Sequence, residues 1–226
     1  MQSINSLKPE SSAFAAHSSS QMLTGLPPAI DRGQQIRDLA ASLFVSHGYG
    51  NVSLRQLAKP LGLRAGSLYN HLENKESLLY ELISDHLQKL LDSATREVHK
   101  ANETATKLRA FIANHIYFQI RHKAHSLLSN LELRSLEGAH QAEIQTLFKR
   151  YRACLEEILK QGIASGLFSK QCIAGAVQAV LAMLCGVAFW FDEQDQITSE
   201  QLTRQYTRMV FGALGAAPAL IDRLAP

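Results

Sequence analysis

The sequence is short of the features that most activities need. Its 226 residues include three cysteines, Cys154, Cys172 and Cys185, with no CxxC spacing among them. An odd, widely spaced set gives neither a disulfide framework nor a zinc module, and it fits a reducing cytoplasm. No GxSxG, HExxH, Walker-type loop or Rossmann glycine pattern occurs, so an enzyme is not expected. No cofactor or metal site is expected either. His115, His122 and His125 share one region, but no acidic or cysteine partner completes a ligand set. The net charge of +3 excludes a polybasic coat, so any affinity for nucleic acid must come from a local patch. Alternating strand patterns are missing too. Apolar residues return at helical spacing almost throughout, which makes the chain all-α. With 46% hydrophobic residues it can bury a core in one or two domains.

What is present centres on Ser53 to Ser77, SLRQLAKPLGLRAGSLYNHLENKES. Ser53 followed by Gln56 is a capping-box spacing, which predicts a helix start. Leu57, Ala58 and Leu61 give that short helix an apolar face, Gly62 marks a turn, and a second short helix carries Ala65, Gly66, Ser67, Leu68 and Tyr69. Two short helices about a glycine-containing turn form a helix-turn-helix, whose second helix can enter a DNA major groove. Asn74 with Glu76 then reads as the cap of a third helix. Pro60 sits inside the first helix of the motif; it removes an N–H and disfavours helical geometry at Lys59, so that helix is expected to end early or kink.

The segment Ala40 to Leu79 resembles the N-terminal DNA-binding domain of the TetR family of bacterial repressors. The resemblance is carried by Ala40, Phe44, Gly48, Ser53, Leu57, Ala58, Gly62, Gly66, Leu68, Tyr69, His71, Lys75, Glu76 and Leu79, all in the family's register. It implies a three-helix head on a helical ligand-binding and dimerisation body, with divisions at 1–29 for an N-terminal arm, 30–76 for the head and 77–226 for the body.

Within the motif, Arg64 opens the recognition turn and is the best candidate for a base or phosphate contact, since a guanidinium grips guanine O6 and N7 with two bonds. Ala65, Gly66 and Ser67 lack bulk and allow close approach to the groove floor. Asn70 has the chemistry to read adenine. The resemblance implies phosphate contacts for Tyr69 and His71, while Ser53 and Arg55 stand at a helix start where phosphate contact is expected. Lys75 lies beside the free N–H groups of the next helix, a natural phosphate seat.

Along the rest of the chain, Met1 to about Ala29 is rich in Ser, Gln and Ala, ends in Pro27-Pro28 and has no arginine. It is expected to be a disordered arm, neither a signal nor an anchor, and too poor in arginine for a minor-groove arm. Helices are predicted over Ile30–His47, from Asn74 to about Val98, and near Thr106–His122, Ala124–Ser135, Ala139–Ser165, Lys170–Phe191 and Ser199–Leu214. Gly162 and Gly166 are read as the end of the longest, and Thr198 with Gln201 as a second capping box. Ile173 to Phe191 carries no charge and on length alone could span a membrane. Its Ala and Gly content, the Gln178 near its middle and the lack of a flanking basic cluster argue instead for a buried bundle helix that meets a partner.

Two runs of the body, Leu131 to Gly166 and Val187 to Gly215 (VAFWFDEQ to MVFGALG), resemble more loosely the C-terminal domain of TetR-type repressors of fatty-acid and steroid catabolism, some of which respond to acyl-CoA thioesters. That resemblance implies a small-molecule effector, an acyl-CoA or another large apolar molecule. Phe111, Phe118, Leu127, Leu128, Leu131, Phe148, Phe189 and Trp190 are candidates for an apolar tunnel, with His115 among them, and Arg121, Arg134, Arg150 and Arg152 for the phosphates. It also implies a homodimer built through the last two helices on a near-palindromic double-stranded DNA operator. The expectation is a cytoplasmic, ligand-released repressor. The alternatives are a helical ligand carrier or enzyme with a vestigial head, and a regulator tethered to a membrane by Ile173 to Phe191.

Overall fold

The computed structural model describes residues 32–60, 62, 73–192, 194 and 197–226. Their α-helices, in chain order, are α1 (Arg32–His47), α2 (Leu54–Ala58), α3 (Lys75–Lys100), α4 (Thr104–Arg121), α5 (Lys123–Leu131), α6 (Gly138–Ala164), α7 (Ile173–Trp190), α8 (Ser199–Ala213) and α9 (Pro218–Leu224), with short 3-10 turns at Tyr49–Asn51 and Leu133–Ser135. No strand occurs among the described residues, and the fold is all-α. The arm before Arg32 and the second helix of the motif, residues 63–72, lie outside them.

Local chemistry sets most boundaries. Gly48 adopts φ 81° and ends α1, in the left-handed region that glycine enters without steric penalty. At α2 the Ser53 side chain accepts from the Gln56 N–H, while the Gln56 side chain accepts from the Ser53 N–H at 2.7 Å. The same reciprocal box joins Thr198 and Gln201 at α8, and Asn74 caps α3 by accepting from the Ser77 N–H at 2.8 Å. The expected effect of Pro60 is an early end: α2 stops at Ala58, although Lys59 keeps helical angles of φ −59° and ψ −51°. The predicted Ala124–Ser135 helix is broken at Glu132, whose φ of −108° and ψ of 8° take it out of the helical region before the 3-10 turn.

Gly166, at φ 74°, closes α6 with bonds from its N–H to Ile163 and from the Leu167 N–H to Gly162, a Schellman arrangement. Gly162 serves packing rather than termination. A Cβ there would meet the Phe168 ring at 2.1 Å. The short α9 lies beyond the predicted helices and is tied back by arginines, Arg109 to the Leu224 carbonyl at 2.8 Å and Arg208 to the Ala225 carbonyl at 3.1 Å.

Helix α4 is the axis of the body and packs against α3, α6, α7 and α8. Its buried Leu108, Phe111, Ile112 and Ile116 meet Leu82, Ile83 and Leu90 of α3, Leu155 and Leu159 of α6, and Val180 and Leu184 of α7 in one continuous core. Helix α1 lies on α5, which joins head to body. Helix α7 is long and apolar enough to cross a membrane by length and composition, but here one side of it, with Val177, Val180, Leu184 and Val187, is buried in the bundle. The other side exposes Ala174, Gly175, Gln178, Ala179 and Ala182, continued by Phe189 and Trp190 at 54% and 47% exposure.

Candidate functional site

Of the sequence-predicted DNA contacts, Arg64, Ala65, Gly66, Ser67, Tyr69, Asn70 and His71 fall outside the described residues; Ser53, Arg55 and Lys75 are within them. Ser53 is exposed, but its hydroxyl is engaged with Gln56, so its first role is the cap. Arg55 is exposed on the first turn of α2 and makes no ion pair or hydrogen bond to a described residue, which leaves its guanidinium available to phosphate. Lys75 turns inward. Its Nζ lies 4.2 Å from the centre of the Tyr49 ring and 3.5 Å from the Gly50 carbonyl, and burial pulls its pKa down. It pins the Gly48–Asn51 corner to the start of α3 through a cation–π contact.

Two polar joints tie this head to the body. At the start of α3, Glu76 pairs with His140 of α6 at 2.8 Å, and Tyr80 stacks on the same imidazole with ring centres 4.0 Å apart while bonding Glu143. At α1, Asp38 faces His125 of α5 at 3.8 Å. Asp38 and His125 border a small cavity of about 110 Å³ with Asp85, His86, Lys89 and His122. Burial lowers the pKa of both His122 and His125, and Asp38 partly offsets this at His125.

The larger candidate site is a cavity of about 240 Å³ inside the body, walled by α3, α4, α5, α6 and α7. Its apolar side consists of Leu87, Leu90, Phe148 and Leu181. Its polar side consists of two hydrogen-bonded groups. The Gln119 amide nitrogen lies 2.9 Å from His115 Nε2, and His115 Nδ1 lies 2.7 Å from the Tyr151 hydroxyl. Farther along, Ser126 Oγ meets His86 Nε2 at 3.3 Å. A neutral imidazole donates through one nitrogen and accepts through the other: either the Gln119 amide donates to Nε2 and Nδ1–H donates to Tyr151, or Tyr151 donates to Nδ1 and Nε2–H donates to the Gln119 carbonyl oxygen. All these groups are uncharged at neutral pH: burial drives His115 and His86 down to about 3, and raises Tyr151 and, to about 11, Cys185. In the first arrangement Gln119 Oε1 is buried with no hydrogen-bond partner among the described residues. Arg152 stands at the exposed end of the lining with no ion pair among the described residues.

Of the residues expected to form the ligand site, His115, Phe148 and Arg152 come together at this cavity. Phe111 is behind its wall, with ring centres 5.0 Å from Tyr151. Phe118 packs at 6.0 Å from His86 on the side of the smaller cavity. Arg121, Leu131, Arg134, Phe189 and Trp190 are exposed and Leu127 is half-buried; none of these lines the cavity, and Leu128 and Arg150 do not line it either. Sequence reasoning missed His86, Gln119, Tyr151 and Cys185. The available signal was a polar side chain in an apolar stripe: His86 lies in register with Leu82, Ile83 and Leu90, and Tyr151 with Ile144, Leu155 and Ile158. Among the described residues no group of His, Cys, Asp and Glu is placed to hold a metal ion.

Comparison with known proteins bears on both halves. Residues 36–82 match the family described as bacterial regulatory proteins, tetR family. Residues 101–214 match the tetracyclin repressor-like C-terminal domain. The chain is 27% identical over 192 residues to the HTH-type transcriptional repressor KstR2 of Mycolicibacterium smegmatis, covering 81% of this chain and 90% of the relative. It is 26% identical over 132 residues to the fatty acid metabolism regulator protein of Bacillus subtilis, covering 58% and 68%. Among solved structures, AibR in complex with isovaleryl coenzyme A and operator DNA superposes with a TM-score of 0.72 at 24% identity, over 80% of this chain and 98% of that one.

Proposed function

Because the chain belongs to the tetR family of bacterial regulatory proteins, and is thereby a DNA-binding transcriptional regulator, we propose that it is a homodimeric repressor released from a near-palindromic operator by an effector lodged in the body cavity. The head, about 30–76, reads DNA through Arg64 and its neighbours, with Ala65, Gly66 and Ser67 close to the groove floor, Asn70 at a base edge and Tyr69, His71 and Arg55 on phosphates. Ser53 and Lys75 hold the motif in position. Two heads on a two-fold axis reach successive major grooves, roughly 35 Å apart.

The observation that carries this reading is the place of His86. It borders both the effector cavity and the smaller cavity against α1, so a ligand that displaces it acts on the seam where Asp38 of the head meets His125 of the body. An effector shifts the heads only as far as its affinity differs between the two arrangements. Support for the effector class comes from two relatives: the fatty acid metabolism regulator by name, and AibR by the isovaleryl coenzyme A in its complex. We therefore assign the effector to the acyl-CoA thioesters. The exposed face of α7 with Phe189 and Trp190, together with Met209 of α8, is the dimer surface, and the dimer works in the cytoplasm.

Footprinting on the DNA upstream of its own gene tests the proposal, with a symmetric protected site expected. Arg64→Ala should weaken operator binding by about 1 to 3 kcal/mol and leave random DNA almost unaffected. Equal loss on both would remove Arg64 from base reading.

A further inference from the structure

We infer that the buried part of the effector is compact and carries an uncharged oxygen function, a short hydroxy- or oxoacyl group rather than a long saturated chain, and that the Gln119–His115–Tyr151 chain selects for that oxygen. The inference rests on the assignment of the cavity to an acyl-CoA effector. Volume is the first argument. At roughly 30 Å³ for each water-sized group, a cavity of about 240 Å³ holds on the order of eight non-hydrogen atoms, half of what a chain of about sixteen carbons requires.

The second argument is the count of hydrogen-bond donors and acceptors. Gln119, His115 and Tyr151 are linked across 2.9 and 2.7 Å, and in either imidazole tautomer this chain ends in one donor with no acceptor among the described residues: the Tyr151 O–H when Nδ1 carries the proton, the Gln119 N–H when Nε2 does. Both side chains are more than nine-tenths buried, Tyr151 at 4% and Gln119 at 3% exposure. An alkyl chain filling the cavity would seal that donor away from water unpaired, whereas a ligand carbonyl or hydroxyl oxygen accepts from it. Sites built around a polar group reject analogues that lack it far more strongly than apolar pockets reject a missing methylene. Because the network is neutral, a carboxylate or phosphate gains nothing inside. Arg152 at the rim takes the anionic end of the molecule instead.

The test uses the full-length protein on its operator, with release followed by fluorescence anisotropy and direct binding by calorimetry. The probes are hexanoyl-CoA, 3-hydroxyhexanoyl-CoA, 5-hydroxyhexanoyl-CoA and palmitoyl-CoA. The better hydroxyacyl thioester should release operator at a concentration at least about tenfold below that of hexanoyl-CoA, with palmitoyl-CoA weakest. One of Tyr151→Phe and Gln119→Met, each scored against its own operator affinity, should bring the six-carbon thioesters together, and which one does identifies the donor. Palmitoyl-CoA as the strongest probe, equal response to hydroxylated and plain six-carbon chains, or a hydroxyl preference that survives both Tyr151→Phe and Gln119→Met would each overturn the inference while leaving the acyl-CoA assignment standing. Intact operator binding with no thioester bound at all would remove that assignment, and this inference with it.

Discussion

Histidine serves two different purposes on the two sides of α3. Toward the body cavity, His115 and His86 are buried at 2% and 5% exposure and are held neutral by desolvation, with pKa values near 3. Toward the head, His125 faces Asp38 at 3.8 Å and His140 faces Glu76 at 2.8 Å, each at a joint that water reaches. The same side chain is a fixed neutral hydrogen-bonding group in one place and the partner of an exposed or half-buried carboxylate in the other. The difference indicates what each region can respond to. The cavity is built to recognise uncharged polar chemistry, and the joints can adjust how firmly the head is held to the body.

The largest expected effect is on the cavity side. His115→Leu leaves Tyr151 and Gln119 without partners and should lower stability by about 2 to 4 kcal/mol in urea unfolding, since each orphaned buried group costs about 1 to 3 kcal/mol. A loss under about 1 kcal/mol would mean that water already satisfies this network.

Acid comes next. The folded pKa values of His86 and His115 are below the unfolded value of 6.5, so below about pH 6.5 the unfolded chain binds more protons than the folded one. Stability present at neutral pH is then lost as pH falls toward 3. Between pH 7 and pH 5 the loss should be about 2 kcal/mol for each of the two histidines. In His86→Leu the share due to that residue should vanish from the pH dependence. An unchanged slope would show that burial does not hold His86 neutral and would break the contrast.

The head should respond through its caps. Ser53→Ala and Asn74→Ala each remove a helix cap, and each should lower thermal stability by about 1 kcal/mol. The Asn74 change also loosens the start of α3, where Glu76 and Tyr80 grip α6. The smallest effect is at the seam. Asp38→Asn should lower the His125 pKa further, because Asp38 is what partly offsets burial there, and should leave His115 where it is. Histidine titration by NMR distinguishes the two, and parallel shifts of both would show that seam and cavity share one field.

How much of this was legible in the sequence follows the range of the interactions involved. The Ser53–Gln56 and Thr198–Gln201 boxes and the Asn74 cap are local, and each appears where spacing predicts it. The family register of the head is also a local pattern. The cavity is assembled from five helices, and which faces meet depends on crossing angles that spacing does not encode. Aromatic content therefore pointed to Phe189 and Trp190, which are exposed, while the polar residues that line the cavity, Tyr151 and His86 among them, looked like interruptions of apolar stripes. The division at Glu132 and the short α9 were hidden for a similar reason. One rests on a single backbone conformation, the other on Arg109 and Arg208 reaching back to its end.

The most direct measurement is an anisotropy titration of the purified protein against operator duplex and against a scrambled duplex at physiological salt, with and without a short hydroxyacyl-CoA. The account predicts tight binding to operator alone, at least about a thousandfold tighter than to scrambled DNA, and loss of that preference when the thioester is added. Equal affinity for the two duplexes, or operator binding that no acyl-CoA disturbs, would contradict it.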